Sequence, residues 1–316
     1  MNNYFSIQDI DSLTDWVNEA VEMKKNPLSD KTLGVDKTIG LLFFNPSLRT
    51  RLSTQKAALN LGMNVIVMNF TGEGWSLEYG DGTVMDQGNS EHVKEAAQVV
   101  SQYCDVLAIR AFAKLENREE DYKEKVLKSF MKYASIPVIN MESASGHPLQ
   151  ALTDAITITE HKPKHIPKIV LSWAPHPKAL PQAVANSFVE MSQLLEANFV
   201  ITHPVGFELA NHITKEVPIE YDQEKALKDA DFVYVKNWSS YIDYGKSSQD
   251  ENWRITEEKM QLTNNAKFMH CLPVRRNVVI DDAVIDSENA IVIQQANNRT
   301  YAAQLVLKKI LKKIEQ

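Results

Sequence analysis

Four short segments hold the side chains best suited to chemistry on an anion, and each follows a run of apolar residues. The first is Phe43-Phe44-Asn45-Pro46-Ser47-Leu48-Arg49-Thr50-Arg51, between a predicted strand and a predicted helix. The hydroxyls of Ser47 and Thr50, the amides of a helix start and the guanidinium of Arg49 together make an anion site. The same residues also suit a capped helix with Ser47 as N-cap and its arginines in solvent. The second is Arg110, next to the run Asp105-Val106-Leu107-Ala108-Ile109. A charge at the end of a buried strand meets either a ligand or a salt-bridge partner. The third is Glu142 followed by His147-Pro148-Leu149-Gln150. An imidazole at a helix start donates to a carbonyl oxygen, and a glutamine bonds an amide; a lone histidine there is also a common structural residue. The fourth is His270-Cys271-Leu272-Pro273-Val274-Arg275-Arg276. Cys271 is a nucleophile only if a base or cation activates it, and otherwise a small buried thiol. The two arginines suit an anion.

Other chemistries are disfavoured. The phosphate loop G-x-x-x-x-G-K-[ST] is absent, and the stretch from Gly72 misses G-x-G-x-x-G because Leu77 stands where the third glycine belongs. His161 and His165 are four apart, but Pro163 between them breaks the helix that would align them on a metal.

These segments need a frame that collects them. Apolar runs at 38–44, 64–69, 105–110 and 136–141 predict buried strands, with segments of helical period at 49–61, 91–103 and 117–134 between them. The alternation continues with strands at 168–173, 198–202, 231–236, 267–271 and 290–294 and helices at 148–161 and 300–315. The pattern predicts an α/β protein with two doubly wound parallel-sheet domains joined by helices. The boundary falls near 145–150: a first domain at 1–147, to which a C-terminal helix at 298–316 returns, and a second at 148–297. In such sheets ligands bind at the carboxyl ends of strands, where the four segments lie. The connection 173–182 is stiffened by three prolines.

Composition agrees with this frame. The 316 residues suit two domains of about 100–200 residues each. A net charge of −7 argues against a general nucleic-acid binder. No stretch approaches the roughly 18 apolar residues of a membrane span, and the acidic N-terminus is unlike a signal peptide. Two cysteines are too few for a disulfide framework and fit a reducing compartment. The expectation is a soluble cytoplasmic protein.

Taken together, the segments resemble a known family. Ser47-Leu48-Arg49-Thr50 fits the S-x-R-T motif of the aspartate/ornithine carbamoyltransferases, His147-Pro148-Leu149-Gln150 resembles their H-P-x-Q, and His270-Cys271-Leu272-Pro273 matches the H-C-L-P of the ornithine branch. The order and spacing agree over essentially the whole chain. The resemblance implies that Ser47, Leu48, Arg49 and Thr50 hold the phosphate of carbamoyl phosphate, with Arg110 bridging phosphate and carbonyl and Arg299 adding a contact. It implies that His147 donates to the carbonyl oxygen, with Pro148 and Leu149 completing its motif. Gln150 and the backbone carbonyls of Cys271 and Leu272 would orient the carbamoyl NH2. Cys271 then has no covalent role, and neither a metal nor an organic cofactor is implied. The proline-rich loop resembles one that forms a knotted crossing in the second domain of these enzymes.

The D-x-x-x-S-M-G segment of ordinary ornithine carbamoyltransferases is missing; the corresponding region is Tyr234-Val235-Lys236-Asn237-Trp238-Ser239. A lysine there suits an anion rather than a free α-ammonium. That resembles the narrower group acting on N-acylated ornithine, which implies amino-acid contacts from Glu142, His176, Lys236 and Arg275. Trp75 resembles the tryptophan that this group inserts into a neighbouring subunit's site, implying a homotrimer. Val279 stands where the acetyl type has a carboxylated lysine. Ser90 stands at a loop position that is Glu in the acetyl type and Pro in the succinyl type. Loss of an acid there removes repulsion against a second substrate carboxylate, so the residues lean toward a succinyl substrate. The partners expected are small molecules only, with no nucleic acid and no membrane.

Overall fold

The computed structural model describes residues 2–70, 72, 74–86 and 88–315. Met1, Glu73 and Gln316, which fall within segments discussed above, lie outside the described residues. The first part of the chain holds α1 (Leu13–Lys25), β1 (Thr38–Phe43), α2 (Arg49–Asn60), β2 (Asn64–Asn69), the short strands β3 (Leu77–Glu78) and β4 (Glu91–His92), and α3 (Val93–Tyr103). Then follow β5 (Val106–Arg110), α4 (Arg118–Tyr122), α5 (Lys125–Tyr133), β6 (Val138–Glu142) and α6 (Pro148–His161). The remainder holds β7 (Lys168–Trp173), α7 (Ala183–Ser192), β8 (Asn198–Thr202), α8 (Asn211–Thr214), β9 (Ile219–Glu220), α9 (Gln223–Leu227) and β10 (Phe232–Lys236). It closes with α10 (Glu257–Gln261), β11 (Lys267–Met269), α11 (Asp282–Ile285) and α12 (Val292–Ile314).

Two large parallel sheets result, ordered β2-β1-β5-β6 and β11-β10-β7-β8-β9, beside a two-stranded β3-β4 sheet. Both are covered on two faces, which is why their strands are continuous apolar runs rather than alternating ones. In β1, Ile39, Leu41 and Phe43 enter one apolar cluster and Leu42 enters another. The cluster holding Ile39 also takes in Ile169, Leu171 and Trp173 of β7, so one core runs from sheet to sheet through α6 and α12. Helix α6 is buried around most of its circumference, as a helix between two layers must be. Pro148 opens it at a position whose N–H would have no helical partner.

The strand order creates a switch point in each sheet. Between β1 and β5 the register sets Phe43 beside Arg110, and between β7 and β10 it sets Trp173 beside Lys236. Two of the expected site residues therefore end strands where the chain reverses its winding direction, the crevice in which open α/β sheets bind ligands.

The structure corrects several element boundaries. Residues 290–294 are not a strand: Ala290 makes a single bridge to Phe268, and Val292 already begins α12. A short apolar run cannot be assigned from periodicity alone, and here it runs into the first turn of a helix, with Ile291 and Val292 buried and Ile293 exposed. The segment 117–134 divides into α4 and α5 because Glu124 adopts φ 53°, in the left-handed region. Residues 91–92 are strand rather than helix. Among the described residues no helix is long and apolar enough to cross a membrane.

Candidate active site

Helix α2 starts directly after β1, and its first residues bring Arg49 and Thr50 to the carboxyl edge of the first sheet. Leu48 is the N-cap and makes no side-chain cap bond, so Ser47 does not cap the helix. Leu48 is exposed and Thr50 buried. Nε of Arg49 is buried with no hydrogen-bond partner among the described residues, and Arg110 and Glu142 lie within its electrostatic reach.

Arg110 is buried and engaged through its Nε and Nη1. Its Nε donates to Oε2 of Glu142 at 3.1 Å, and its Nη1 donates to the carbonyls of Asn45, at 3.0 Å, and Pro46. Its guanidinium also lies 4.0 Å from the ring centroid of Phe112. Of the two readings of this residue the structure shows the salt-bridge partner, Glu142, at the end of a strand beside the switch point. The Asn45 side chain accepts from the Phe112 amide at 2.6 Å, tying the turn after β1 to the end of β5.

His147 occupies the start of α6 and is 2% exposed. Its backbone N–H donates to Ser187 Oγ at 2.8 Å. Nε2 lies 3.3 Å from Nη2 of Arg299 and 3.5 Å from Oε2 of Glu142, while Nδ1 has no partner among the described residues. Burial, with Arg299, Arg110 and Lys236 adding to it, holds the imidazole well below its ordinary pKa. His147 is therefore neutral at pH 7. The loop from Glu142 to His147 is fixed from behind by Glu124, whose carboxylate accepts from the hydroxyls of Ser143 and Ser145, at 2.7 and 2.5 Å, and from the amides of Ala144 and Ser145.

Arg299, on α12, is buried beside His147. It donates to Gln150 Oε1 at 3.0 Å and to Thr50 Oγ1 at 2.7 Å. One planar guanidinium thus locks the first and third sequence segments together. Gln150 gives its NH2 to Asp154 at 2.7 Å, which leaves the second lone pair of Oε1 for a further donor.

The fourth segment follows β11. Leu272 has φ 55°, and its amide donates to Nδ1 of His270 at 2.8 Å. Among the described residues no hydrogen bond uses the carbonyls of Cys271 or Leu272. Burial pushes the Cys271 thiol up, against the pull of Lys236; a thiol kept protonated is a poor nucleophile. Arg275 stands further out and donates to Nε2 of His176 at 3.1 Å. His176 is held below its ordinary pKa, first by burial, with Lys236 and Arg275 contributing. Lys236 also acts on His147, His270 and Cys271, so it lies where the two sets meet.

Trp75 and Ser90 stand apart from this group. Trp75 is 58% exposed and donates to Glu91 Oε2 at 2.9 Å. Pairing of β3 with β4 brings Ser90 alongside it, with the Ser90 amide donating to the Ser76 carbonyl at 3.2 Å. Val279 is buried in the apolar cluster behind the second sheet.

Asp154, Gln295, Glu124 and Ser187 escaped the sequence reading. Asp154 had a signal, since it follows Gln150 by four and so shares its helix face. Gln295 was hidden by the strand expected at 290–294. Glu124 and Ser187 carried none.

The whole arrangement puts three arginines, a neutral buried histidine and an acceptor-lined turn around one crevice, a set suited to binding an anion and polarising a carbonyl without a charged acid. The chain matches the family described as aspartate/ornithine carbamoyltransferase, carbamoyl-P binding domain, over residues 2–160, and aspartate/ornithine carbamoyltransferase, Asp/Orn binding domain, over residues 181–310. It is 48% identical to the N-succinylornithine carbamoyltransferase of Bacteroides thetaiotaomicron, covering 100% of each chain. It is 35% identical to the N-acetylornithine carbamoyltransferase of Xanthomonas axonopodis pv. citri, covering 96% of this chain and 93% of that one. Among solved structures it resembles a Glu-to-Ser mutant of N-acetyl-L-ornithine transcarbamylase complexed with carbamyl phosphate and N-succinyl-L-norvaline. The TM-score is 0.92 at 35% identity, with 98% of this chain and 100% of that one covered.

Proposed function

The chain belongs to the aspartate/ornithine carbamoyltransferase family, and on that footing we propose that it moves the carbamoyl group of carbamoyl phosphate onto the side-chain amine of N-succinyl-L-ornithine, giving N-succinyl-L-citrulline and phosphate in arginine biosynthesis. The observation that carries the chemistry is the buried neutral His147 with its free Nδ1, set among Arg49, Arg110 and Arg299.

In this reading Arg49, Thr50 and Arg299, with Ser47 and the amides around Leu48, hold the phosphate, and Arg110 spans phosphate and carbonyl. The neutral amine attacks the carbonyl carbon, and the π pair moves to oxygen, where His147 and Arg110 meet the growing charge. The intermediate then collapses, the carbon–oxygen bond to phosphate breaks, and the departing phosphate takes the proton shed by the amine. The carbonyls of Cys271 and Leu272, with Gln150, orient the carbamoyl NH2. Catalysis in this reading is positioning of the two reactants plus electrostatic stabilisation of the oxyanion.

Glu142, His176, Lys236 and Arg275 are the proposed contacts to the amino acid. Three of these are cations or donors beside one another, which suits a substrate with two carboxylates. The succinyl reading is supported by the higher identity to the N-succinylornithine enzyme and by Ser90. Serine is also what the solved mutant carries in place of a glutamate, in a complex with a succinylated ligand.

We take residues 1–147, with the returning C-terminal helix, as the carbamoyl phosphate domain and 148–297 as the acylornithine domain, knotted through the loop 173–182. A homotrimer is supported by exposed Trp75 and Ser90 beside the β3–β4 pair and by exposed Leu52, Leu59 and Ile66 on α2 and β2. Two free thiols fit a cytoplasmic protein.

The test is carbamoyl transfer and phosphate release with N-succinylornithine, N-acetylornithine and ornithine side by side. Succinylornithine is expected to turn over fastest; faster turnover of free ornithine would falsify the acyl-substrate reading.

A further inference from the structure

The crevice is assembled from two segments far apart in sequence: α6, with Gln150, and the turn His270–Leu272 after β11. A single carboxylate oxygen links them. Oδ1 of Asp154, whose side chain is 0% exposed, accepts from Nε2 of Gln150 and from Nε2 of Gln295, each at 2.7 Å. A carboxylate oxygen without a proton only accepts, whereas a primary amide donates at one end and accepts at the other. Two NH2 groups facing Asp154 therefore turn both Oε1 atoms outward. Oε1 of Gln150 receives Arg299 Nη1 at 3.0 Å, and Oε1 of Gln295 receives the His270 amide N–H at 3.0 Å. Flipping either amide would set NH2 against another donor in a water-free place, leaving both unsatisfied.

We propose, resting on the carbamoyl-transfer reading above, that Asp154 is a positioning residue. Its one oxygen fixes the amide directions of Gln150 and Gln295, and through them holds Arg299 on one side and the His270–Leu272 turn on the other. The burial that makes this possible opposes the charge: it pushes the Asp154 carboxyl up to about 7, although both glutamines, the Tyr234 hydroxyl and Arg299 pull it down. The Tyr234 hydroxyl and the Cys271 thiol lie within its electrostatic reach and are themselves pushed up. An apolar side chain of similar size would fill the place without that penalty. A carboxylate there fits a role in orientation rather than in packing.

The variant Asp154→Leu keeps roughly the size but removes the oxygen that accepts from both glutamines. With N-succinylornithine as acceptor, the KM for carbamoyl phosphate is expected to rise about tenfold, as for one mispointed charge-assisted hydrogen bond. The KM for N-succinylornithine should stay within about twofold and kcat should fall by the smaller factor, since the reacting groups remain in place. A structural role alone would lower Tm and the active fraction while leaving the carbamoyl phosphate KM unchanged, and that result overturns the inference. Should Asp154→Leu fail to fold, Gln295→Met removes one donor to Asp154 and the acceptor of the His270 amide while leaving the carboxylate. The same rise in KM is then expected, and an unchanged KM in the folded variant counts against the proposal. Wild-type protein assayed in parallel keeps the two ideas apart. No transfer by the wild type removes the catalytic reading and this inference with it, whereas an active wild type beside an unaltered variant removes this inference alone.

Discussion

Nη2 of Arg299 lies 3.3 Å from Nε2 of His147, and this contact decides where the imidazole keeps its proton. Arginine can only donate, so Nε2 must accept, and a neutral ring then carries its hydrogen on Nδ1. Glu142 Oε2, 3.5 Å from Nε2, makes no hydrogen bond to it among the described residues. The atom left without a partner, Nδ1, is thereby the donor. The arginine expected to touch the phosphate thus also sets the tautomer of the histidine expected to touch the carbonyl.

If Nδ1–H meets the developing oxyanion, removing it costs catalysis more than binding. For His147→Ala a fall in kcat of about 10²–10³ is expected, the effect of losing one oxyanion donor. The KM for carbamoyl phosphate should change much less. Steady-state rates of citrulline formation measure both, and a kcat within a few-fold of wild type would end this assignment.

Ser90 bears on the choice of acyl group. A carboxylate placed at 90 would repel the distal carboxylate of a succinyl chain and leave an acetyl group untouched. Ser90→Glu is therefore expected to reduce kcat/KM for N-succinylornithine about tenfold more than for N-acetylornithine. Equal losses on both substrates would take the residue out of the specificity argument.

Trp75 is exposed within its own chain, and its indole N–H is held by Glu91. If it completes a neighbouring site, Trp75→Ala and His147→Ala should each be nearly inactive. Mixing the two after mild dissociation should regain activity, because every mixed trimer carries one site with both residues intact. No recovery in mixtures that demonstrably exchange subunits would place Trp75 outside the neighbour's site.

Three buried histidines set the acid limit of stability. Burial holds His147, His203 and His270 below the ordinary value of 6.5. Above that pH neither the folded nor the unfolded chain protonates them, and stability is fully present. Below it the unfolded chain takes up protons that the folded chain refuses, so stability falls, by up to about 1.4 kcal/mol per pH unit for each histidine. Tm measured between pH 7.5 and 5 should decline above the ordinary carboxylate range, partly offset by Asp154, whose raised carboxyl takes up its proton in the folded chain, and with the decline reduced in His203→Gln. A flat Tm down to pH 5 would contradict this account.

Much of the site is legible in the residues themselves. Buried parallel strands are unbroken apolar runs, and ligands gather at their carboxyl ends, so Arg49, Arg110, Glu142, His147 and Cys271 can be picked out from position alone. The total charge of −7 was a poor guide, since the cations are gathered inside. Local pattern failed at 290–294, where five apolar-rich residues fit either period and only tertiary packing, with Val292 in the cluster that holds Phe268 and Val233, shows that α12 starts there. Strand order is likewise not written in any local pattern. It is the tertiary register that makes Arg110 and Lys236 residues of two switch points. Hydrogen-bond direction is further still from the sequence. The tautomer of His147 and the amide facing of Gln150 and Gln295 follow from partners up to 152 residues away, which meet only when two sheets close on a shared helix. Periodicity records which face of an element is buried, and not what it is buried against; that second fact decided the chemistry of this crevice.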